Sequence, residues 1–316
     1  MNEDKMPLFL INGFLEAGKT QFIKFTMQQD YFQIDGKTLL ILCEEGEEEY
    51  DEEALAKDNV VVEVIEKEED FTPERLQALD IIHQPERVVM EYNGMWLVSN
   101  FEKTQLPTGW GVEQQITCVD GSTFQMYMAN MKSIFMDMVR NADMVVFNRS
   151  KKEYPLANFR RSIKVVNPSA EVIFEDEEGE MTDIFADQMP FDLDADIVDI
   201  PPEDYGIWFV DAMDHPDRYV GKTLRFKARA RRPRGMGSKF FIPGRTAMTC
   251  CADDTSFLGY ICKSAYAPKL KPGEWVEVTA KVAFENRSEY QGEGIVLYAE
   301  NVTPCEPLAD EMVYFN

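Results

Sequence analysis

The chain has 316 residues, of which 45% are hydrophobic and 28% are charged, and its formal net charge is −25. This length allows two domains that each bury a hydrophobic core. An acidic surface of this size repels nucleic acid and anionic membranes. The amino-terminal MNEDK lacks the basic region of a signal peptide, and the apolar run after it is too short to span a bilayer. We therefore expect a cytoplasmic protein without membrane insertion.

Strand and helix patterns alternate through residues 1–180. The apolar run PLFLIN precedes a helix that begins near Lys19. Further strand-like runs are TLLILC, VVVEVI, RVVMEY, QQITCVD and DMVVFN, whereas TPERLQALDII and residues 122–141 have helical periodicity. The alternation is typical of an α/β domain, a mostly parallel sheet with helices on both faces.

Residues Gly13–Thr20 match a phosphate-binding motif. Their sequence, GFLEAGKT, fits the P-loop (Walker A) pattern G-x-x-x-x-G-K-[ST] and lies between a predicted strand and a predicted helix. Backbone amides of Glu16, Ala17 and Gly18 would face phosphate oxygens at the helix N-terminus. Lys19 would contact the β and γ phosphates, and the Thr20 hydroxyl would ligate Mg²⁺. The motif predicts a site for GTP or ATP with Mg²⁺.

This part of the chain resembles the CobW/HypB/UreG-type P-loop GTPases, which are metal insertion proteins and metallochaperones. The likeness is carried by GFLEAGKTQ, CEEGEEEYD, ERVVMEYNG, ADMVVFNRSKK and VVNPSAEV, over roughly residues 6 to 175. It implies nucleotide binding, GTP hydrolysis, metal homeostasis and a metalloprotein partner. It also implies that Glu86 and Glu91 face Mg²⁺, that Glu91 is catalytic, that Gly94 lies near the γ-phosphate and that Asn148 contacts the nucleobase.

The chain departs from that family at positions that bear on function. Glu16 replaces a glycine and brings a carboxylate towards an anionic ligand. Lys151 replaces the aspartate that reads guanine, and a lysine offers no acceptor. The carboxylate-rich Glu66–Asp70 stands in place of the family's cysteine motif. Two functions therefore stay open: an NTP-binding, GTP-hydrolysing protein, or a degenerate pseudo-GTPase that acts as a scaffold or metal-binding protein through its second domain.

The remaining chain differs in charge and in pattern. Residues 207–316 hold 15 basic and 14 acidic side chains, whereas residues 1–206 hold 17 basic and 43 acidic ones. Residues 181–206 are acidic and proline-containing, which is typical of a linker. Short alternating runs follow, such as GKTLRFKARARRP and EWVEVTAKVAFEN. We predict a P-loop domain at 1–180, a linker at 181–206 and a small antiparallel, barrel-like β domain at 207–316.

The β domain resembles the C-terminal domain of a bacterial membrane-protein family linked to a permease, which implies a permease-related partner. Its cysteines Cys250, Cys251 and Cys262 form either a Zn²⁺ site or a structural or thiol-switch cluster. Along LRFKARARRPR, alternate positions place four cations on one face of a strand, namely Arg225, Lys227, Arg229 and Arg231. That face could hold single-stranded nucleic acid, but we favour docking against the acidic domain or its bound phosphate.

Overall fold

A computed structural model describes residues 5–44, 46, 48, 50–181, 189–248 and 255–313, with Glu52 described in its backbone alone. The chain divides into two compact units, Met1–Ile184 and Phe185–Asn316. The predicted boundaries of a separate linker at 181–206 stay a prediction.

The first unit is built on one sheet. Its strands are β1 (Met6–Asn12), β2 (Thr38–Leu42), β3 (Val60–Val64), β4 (Arg87–Glu91), β5 (Trp110–Asp120), β6 (Met144–Asn148), β7 (Glu171–Asp176) and β8 (Gly179–Glu180). The strand order is β3-β2-β4-β1-β5-β6-β7-β8, and the pairs are parallel up to β7, where β8 returns antiparallel. The predicted parallel α/β class is confirmed.

Seven α-helices occur among the described residues of this unit. They are α1 (Lys19–Met27), α2 (Glu52–Lys57), α3 (Pro73–His83), α4 (Val98–Lys103), α5 (Phe124–Asn130), α6 (Lys132–Val139) and α7 (Leu156–Val166). Thr72 caps α3 by accepting a hydrogen bond from the Arg75 amide, and Pro73 occupies the first helical position, where its missing N–H costs nothing.

The prediction of a single helix over residues 122–141 is wrong, because the segment forms two helices. Met131 leaves helical geometry with φ −133° and ψ 30°, which separates α5 from α6. The predicted apolar face nevertheless packs inward, since Phe124, Phe135 and Met138 are all buried. Phe124 contacts both Phe147 of β6 and Phe159 of α7. The methionine-rich stretch therefore belongs mainly to the core rather than to a partner surface.

Helix α1 packs on the strands that flank the phosphate motif. Its Ile23 is buried with Ile11 of β1 and Val89 of β4, and Ala17 and Cys118 join the same cluster. Burying apolar side chains on both sides of the loop stabilises its position relative to the sheet.

The second unit is a small β barrel with one preceding helix. Its elements are β9 (Val198–Asp199), α8 (Tyr205–Asp214), β10 (Thr223–Arg231), β11 (Phe240–Met248), β12 (Thr255–Gly259), β13 (Ile261–Lys263), β14 (Trp275–Arg287), β15 (Gly292–Pro304) and β16 (Met312–Val313). Five strands close a ring, β10-β11-β13-β15-β14, through the pairing of β11 with β10. The pairs are antiparallel except for β13 with β15. The predicted barrel-like β domain is confirmed.

Candidate functional site

Polar side chains converge at the carboxyl edge of the parallel sheet. This edge is where ligands bind in open α/β folds, because the loops that follow the strands meet there. The phosphate motif follows β1, and further polar residues lie at or just after the ends of the other strands, namely Glu44, Glu91, Asp120 and Asn148.

The loop that precedes α1 leaves a helix N-terminus open to an anion. Gly18 is the N-cap, with φ +89°, and no side chain caps the helix or places a carboxylate in its first turn. The positive φ favours glycine at this position, and a Cβ on Gly18 would lie 2.5 Å from the Asn148 amide nitrogen and displace that side chain. The first amides of α1 therefore have no partner within the helix, which is the arrangement that binds phosphate.

Lys19 lies inside this loop with only 3% of its side chain exposed. Its Nζ donates to the carbonyl oxygens of Gly13 at 2.9 Å and Phe14 at 3.0 Å. It also forms an ion pair with Glu44, which follows β2 and is 10% exposed. The ammonium group is thus held at the mouth of the loop by two carbonyls and one carboxylate.

A second group of oxygen atoms lies beside Lys19. The Thr20 hydroxyl donates to Glu91 Oε1 at 2.9 Å, and the Tyr50 hydroxyl donates to Glu91 Oε2 at 2.7 Å. Burial raises the pKa of Glu91, and this effect outweighs the hydrogen bonds from Tyr50 and Thr20 and the charge of Lys19, which lower the pKa. A hydroxyl and a buried carboxylate are hard oxygen donors, so Thr20 and Glu91 fit Mg²⁺.

Residues at the end of β6 fasten the loop from the other side. The Asn148 amide donates to the Ala17 carbonyl at 2.6 Å. Arg149 donates to the Glu16 carbonyl at 2.9 Å and pairs with Asp120 at 2.6 Å. Burial alone would raise the pKa of Asp120, but hydrogen bonds from Ser122 and Arg149 lower this pKa below its usual value. Asn148 thus contacts the loop directly, whereas the family resemblance implies that Asn148 contacts the nucleobase.

Among the expected site residues, Glu86 lies away from the phosphate loop, whereas Glu16 lies within it. Glu86 is exposed and precedes β4, at the opposite end of that strand from Glu91. Five residues of extended chain span about 16 Å, so the expectation that Glu86 faces the same Mg²⁺ as Thr20 is not supported. Glu16 has φ +61° and an exposed side chain, and it lines a small recess together with Lys19, Glu44 and Glu91. Lys151 is exposed and lies three positions after the end of β6.

The cysteines do not assemble a metal site in the part of the chain that the structure describes. No group of three or more His, Cys, Asp or Glu side chains there could hold a metal ion. Cys262 is fully buried in β13, and burial raises its thiol pKa far above the usual range. Burial likewise raises the pKa of Cys118 to about 12. Cys250 and Cys251, the other two candidate Zn²⁺ ligands, lie outside the described residues.

The four cations of β10 lie on one side of the strand, as the alternation predicts. Their neighbours Leu224, Phe226, Ala228 and Ala230 are buried, while the cations are partly or fully exposed. Arg225 pairs with Asp199 at 2.5 Å, Arg229 pairs with Glu311 at 3.4 Å, and Arg231 lies 3.7 Å over the Phe257 ring. Most of this basic face is therefore engaged within the β unit, which disfavours it as a nucleic-acid surface.

Two residues of the site were not found from the sequence, namely Tyr50 and the Lys19 partner Glu44. Both belong to the segment CEEGEEEYD after β2. Since β2 is adjacent to β4 in a parallel sheet, the segment that leaves β2 reaches the same edge as Glu91. The pairing of β2 with β4 would have placed Tyr50 and Glu44 near Glu91, but this pairing depends on the strand order, which the sequence does not give.

The fold and this edge define a P-loop nucleotide-binding domain. The chain belongs to the CobW/HypB/UreG nucleotide-binding domain family, which it matches over residues 7–174. Residues 178–315 match the DUF1980 C-terminal domain. No curated protein matches the chain.

Several solved structures are similar to parts of the chain. The hydrogenase maturation factor HypB from Archaeoglobus fulgidus is 16% identical, with a TM-score of 0.40, and the match covers 55% of this chain and 83% of HypB. The Zn(II)-bound YjiA GTPase from E. coli is also 16% identical, with a TM-score of 0.43, and the match covers 82% of this chain and 89% of YjiA. Likenesses this distant say nothing about ligands. Among the described residues, no helix is long and apolar enough to cross a membrane.

Proposed function

We propose that the chain binds a nucleoside phosphate together with Mg²⁺ at residues Gly13–Thr20 and serves metal homeostasis as a CobW-type nucleotide-dependent protein. The observation that carries the proposal is the convergence of the uncapped N-terminus of α1, the Lys19 ammonium and the Thr20–Glu91 oxygen pair at one edge of the sheet. These are the parts that phosphate binding in P-loop proteins requires.

The roles follow from the contacts. The amides of Glu16 and Gly18, with those at the start of α1, would bind phosphate oxygens, and Lys19 would balance their charge. The Ala17 amide donates to the Phe14 carbonyl at 3.1 Å instead. Thr20 and Glu91 would hold Mg²⁺ or its water, and the ion would neutralise phosphate charge when bound. The Tyr50 hydroxyl orients the Glu91 carboxylate through the 2.7 Å hydrogen bond and so keeps one oxygen directed at Thr20. Asn148 and Arg149 keep the loop closed around the ligand.

Two further parts of the proposal concern which nucleobase is bound and whether the nucleotide is hydrolysed. We keep GTP and ATP as alternatives, because the residue that would read guanine is the exposed Lys151. Glu91 is the candidate catalytic residue for a slow hydrolysis. The link to metal homeostasis comes from the family that the chain belongs to.

A second candidate function is a nucleotide-independent scaffold. It is favoured by one observation, the carboxylate of Glu44 on Lys19, which places a negative charge where a phosphate would bind. A scaffold would retain the fold of the first unit and act through the β unit. Metal binding by Cys250, Cys251 and Cys262 belongs to this candidate, although the buried Cys262 weakens it.

A titration separates the two candidates. Purified protein is titrated calorimetrically with GDP, GTP, ADP and ATP, with and without Mg²⁺, beside Lys19→Ala. The proposal predicts Mg²⁺-dependent binding of at least one nucleotide that weakens about 100-fold or more in the variant, since one ammonium contributes several charge-assisted hydrogen bonds. Absence of any Lys19-dependent binding at near-millimolar nucleotide would favour the scaffold.

A further inference from the structure

We infer that the Glu44 carboxylate acts as an internal substitute for the terminal phosphate, so that the resting protein accepts a nucleoside diphosphate and admits a triphosphate only when Glu44 is displaced. The inference rests on the proposed function, because it concerns the selectivity of that same site. It makes Glu44 a residue that determines specificity between two ligands sharing every group except one phosphoryl.

The first observation is that the Lys19 ammonium is already engaged. It donates to the Gly13 and Phe14 carbonyls and forms an ion pair with the Glu44 carboxylate. A terminal phosphate that binds Lys19 would therefore compete with one of these three groups. The two carbonyls belong to the loop itself, whereas Glu44 comes from a different segment and is the only charged acceptor of the three.

The second observation is that Glu44 occupies a backbone donor as well. The amide of Gly94, which follows β4, donates to Glu44 Oε2 at 3.2 Å. Gly94 lies directly against the loop, since a Cβ built on Gly94 would lie 2.4 Å from the Gly13 carbonyl oxygen. One ammonium and one loop-edge amide thus converge on a single anionic group. A terminal phosphoryl would need the same combination of donors.

The third observation is the space that remains. The recess lined by Lys19, Thr20, Glu44 and Glu91 is partly open and has a free volume of about 30 Å³. The Glu44 side chain lines this recess, so a terminal phosphoryl group bound at Lys19 would compete with that side chain for space. Among the described residues, Glu44 makes no hydrogen bond to the uncapped amides at the start of α1. These amides therefore stay available to the α and β phosphates of a nucleotide.

These observations give the site a selectivity. A diphosphate brings no phosphoryl group to the position of Glu44, so Glu44 stays on Gly94 and beside Lys19, whose charge still attracts the β-phosphate. A triphosphate brings a second anion to donors that already hold one, and two like charges at contact distance repel each other where water screens them only partly. Displacement of Glu44 would provide a physical difference between the diphosphate and triphosphate states.

The test compares affinities for ligands that differ by one phosphoryl group. GDP and the β,γ-imido analogue of GTP, and the corresponding adenine pair, are titrated calorimetrically with Mg²⁺ into wild type, Glu44→Gln and Glu44→Ala. The matched control is Glu48→Gln, which removes one charge from the same recess without touching Lys19, because Glu48 contacts Gln21 and Lys24 instead. Circular dichroism of each variant verifies folding.

We expect wild type to bind the diphosphate about tenfold or more tightly than the triphosphate analogue, and both Glu44 variants to reduce that ratio about tenfold while Glu48→Gln leaves it unchanged. Equal changes in the Glu44 and Glu48 variants, or a wild type that prefers the triphosphate, would overturn the inference alone. Lys19-dependent diphosphate binding would still support the proposed function in that case. Failure of wild type and of every variant to bind either ligand would overturn both the inference and the proposed function.

Discussion

Removing the Lys19 ammonium should destabilise the protein mainly because it leaves the Glu44 carboxylate buried without a countercharge. The two side chains are 3% and 10% exposed, so their ion pair is largely shielded from water. Breaking a buried pair by removing one partner costs about 3–5 kcal/mol, and we take the lower end because Glu44 retains the Gly94 amide and some exposure. A loss of about 3 kcal/mol corresponds to a decrease in Tm of about 6–12 °C for a unit of this size.

Differential scanning calorimetry of the full chain without nucleotide measures this as a double-mutant cycle of Lys19→Ala, Glu44→Gln and the double variant. We expect Lys19→Ala alone to lower the Tm by the stated amount, and Glu44→Gln in the same chain to restore most of it, because a neutral amide tolerates burial better than a carboxylate does. Additive effects, with the double variant no more stable than Lys19→Ala, would refute the reasoning that the two groups form a coupled buried pair.

Three further predictions follow from single contacts. Asn148→Ala should weaken nucleotide binding about tenfold in calorimetric titration, because it releases the Ala17 carbonyl. The control is the surface variant Asn141→Ala, which loses a hydrogen bond to Glu102 and should leave nucleotide binding unchanged. Equal effects of the two variants would contradict the role of Asn148. Burial and then the charge of Glu180 raise the pKa of Glu175. Glu175→Gln should therefore raise the Tm at about pH 7 but not at about pH 4. As pH rises, the Glu175 carboxyl ionises first in the unfolded chain, and this ionisation stabilises the unfolded state of the wild type. A difference in Tm between wild type and variant that does not change with pH would argue against this prediction. Cys262→Ala should lower the Tm, because it opens a small cavity at a buried position. Elemental analysis of purified protein should give the same Zn²⁺ content for wild type and variant. A lower Zn²⁺ content in the variant would indicate that Cys262 is a metal ligand.

The sequence predicts those parts of the fold in which local pattern and tertiary structure agree. The runs PLFLIN and DMVVFN are β1 and β6, since a buried parallel strand requires a continuous apolar segment. The phosphate motif is likewise local, because its glycines and Lys19 act within eight residues of chain. In the β unit, strict alternation along β10 places every predicted cation on the exposed side.

The remainder depends on contacts between distant segments. Glu44 and Lys19 are 25 positions apart, and only the order of the strands brings them together. The family resemblance implies that Glu86 faces Mg²⁺ together with Glu91, but an extended strand places its two ends at opposite edges of the sheet. Repulsion of phosphate was expected from Glu16, yet the carboxylate that enters the recess is Glu44, while Glu16 has an exposed side chain. Helical periodicity over residues 122–141 persists across the break at Met131, so the pattern alone did not reveal two helices.

Hydrogen exchange detected by mass spectrometry tests the central claim most directly, because the proposed ligand binds backbone amides. The full chain is compared with and without Mg²⁺ and nucleotide, beside Lys19→Ala as control. The account predicts protection in the peptide that spans residues 13–22 and in those that follow β2 and β4, and no protection in the variant. A nucleotide that binds while residues 13–22 exchange at an unchanged rate would contradict the account.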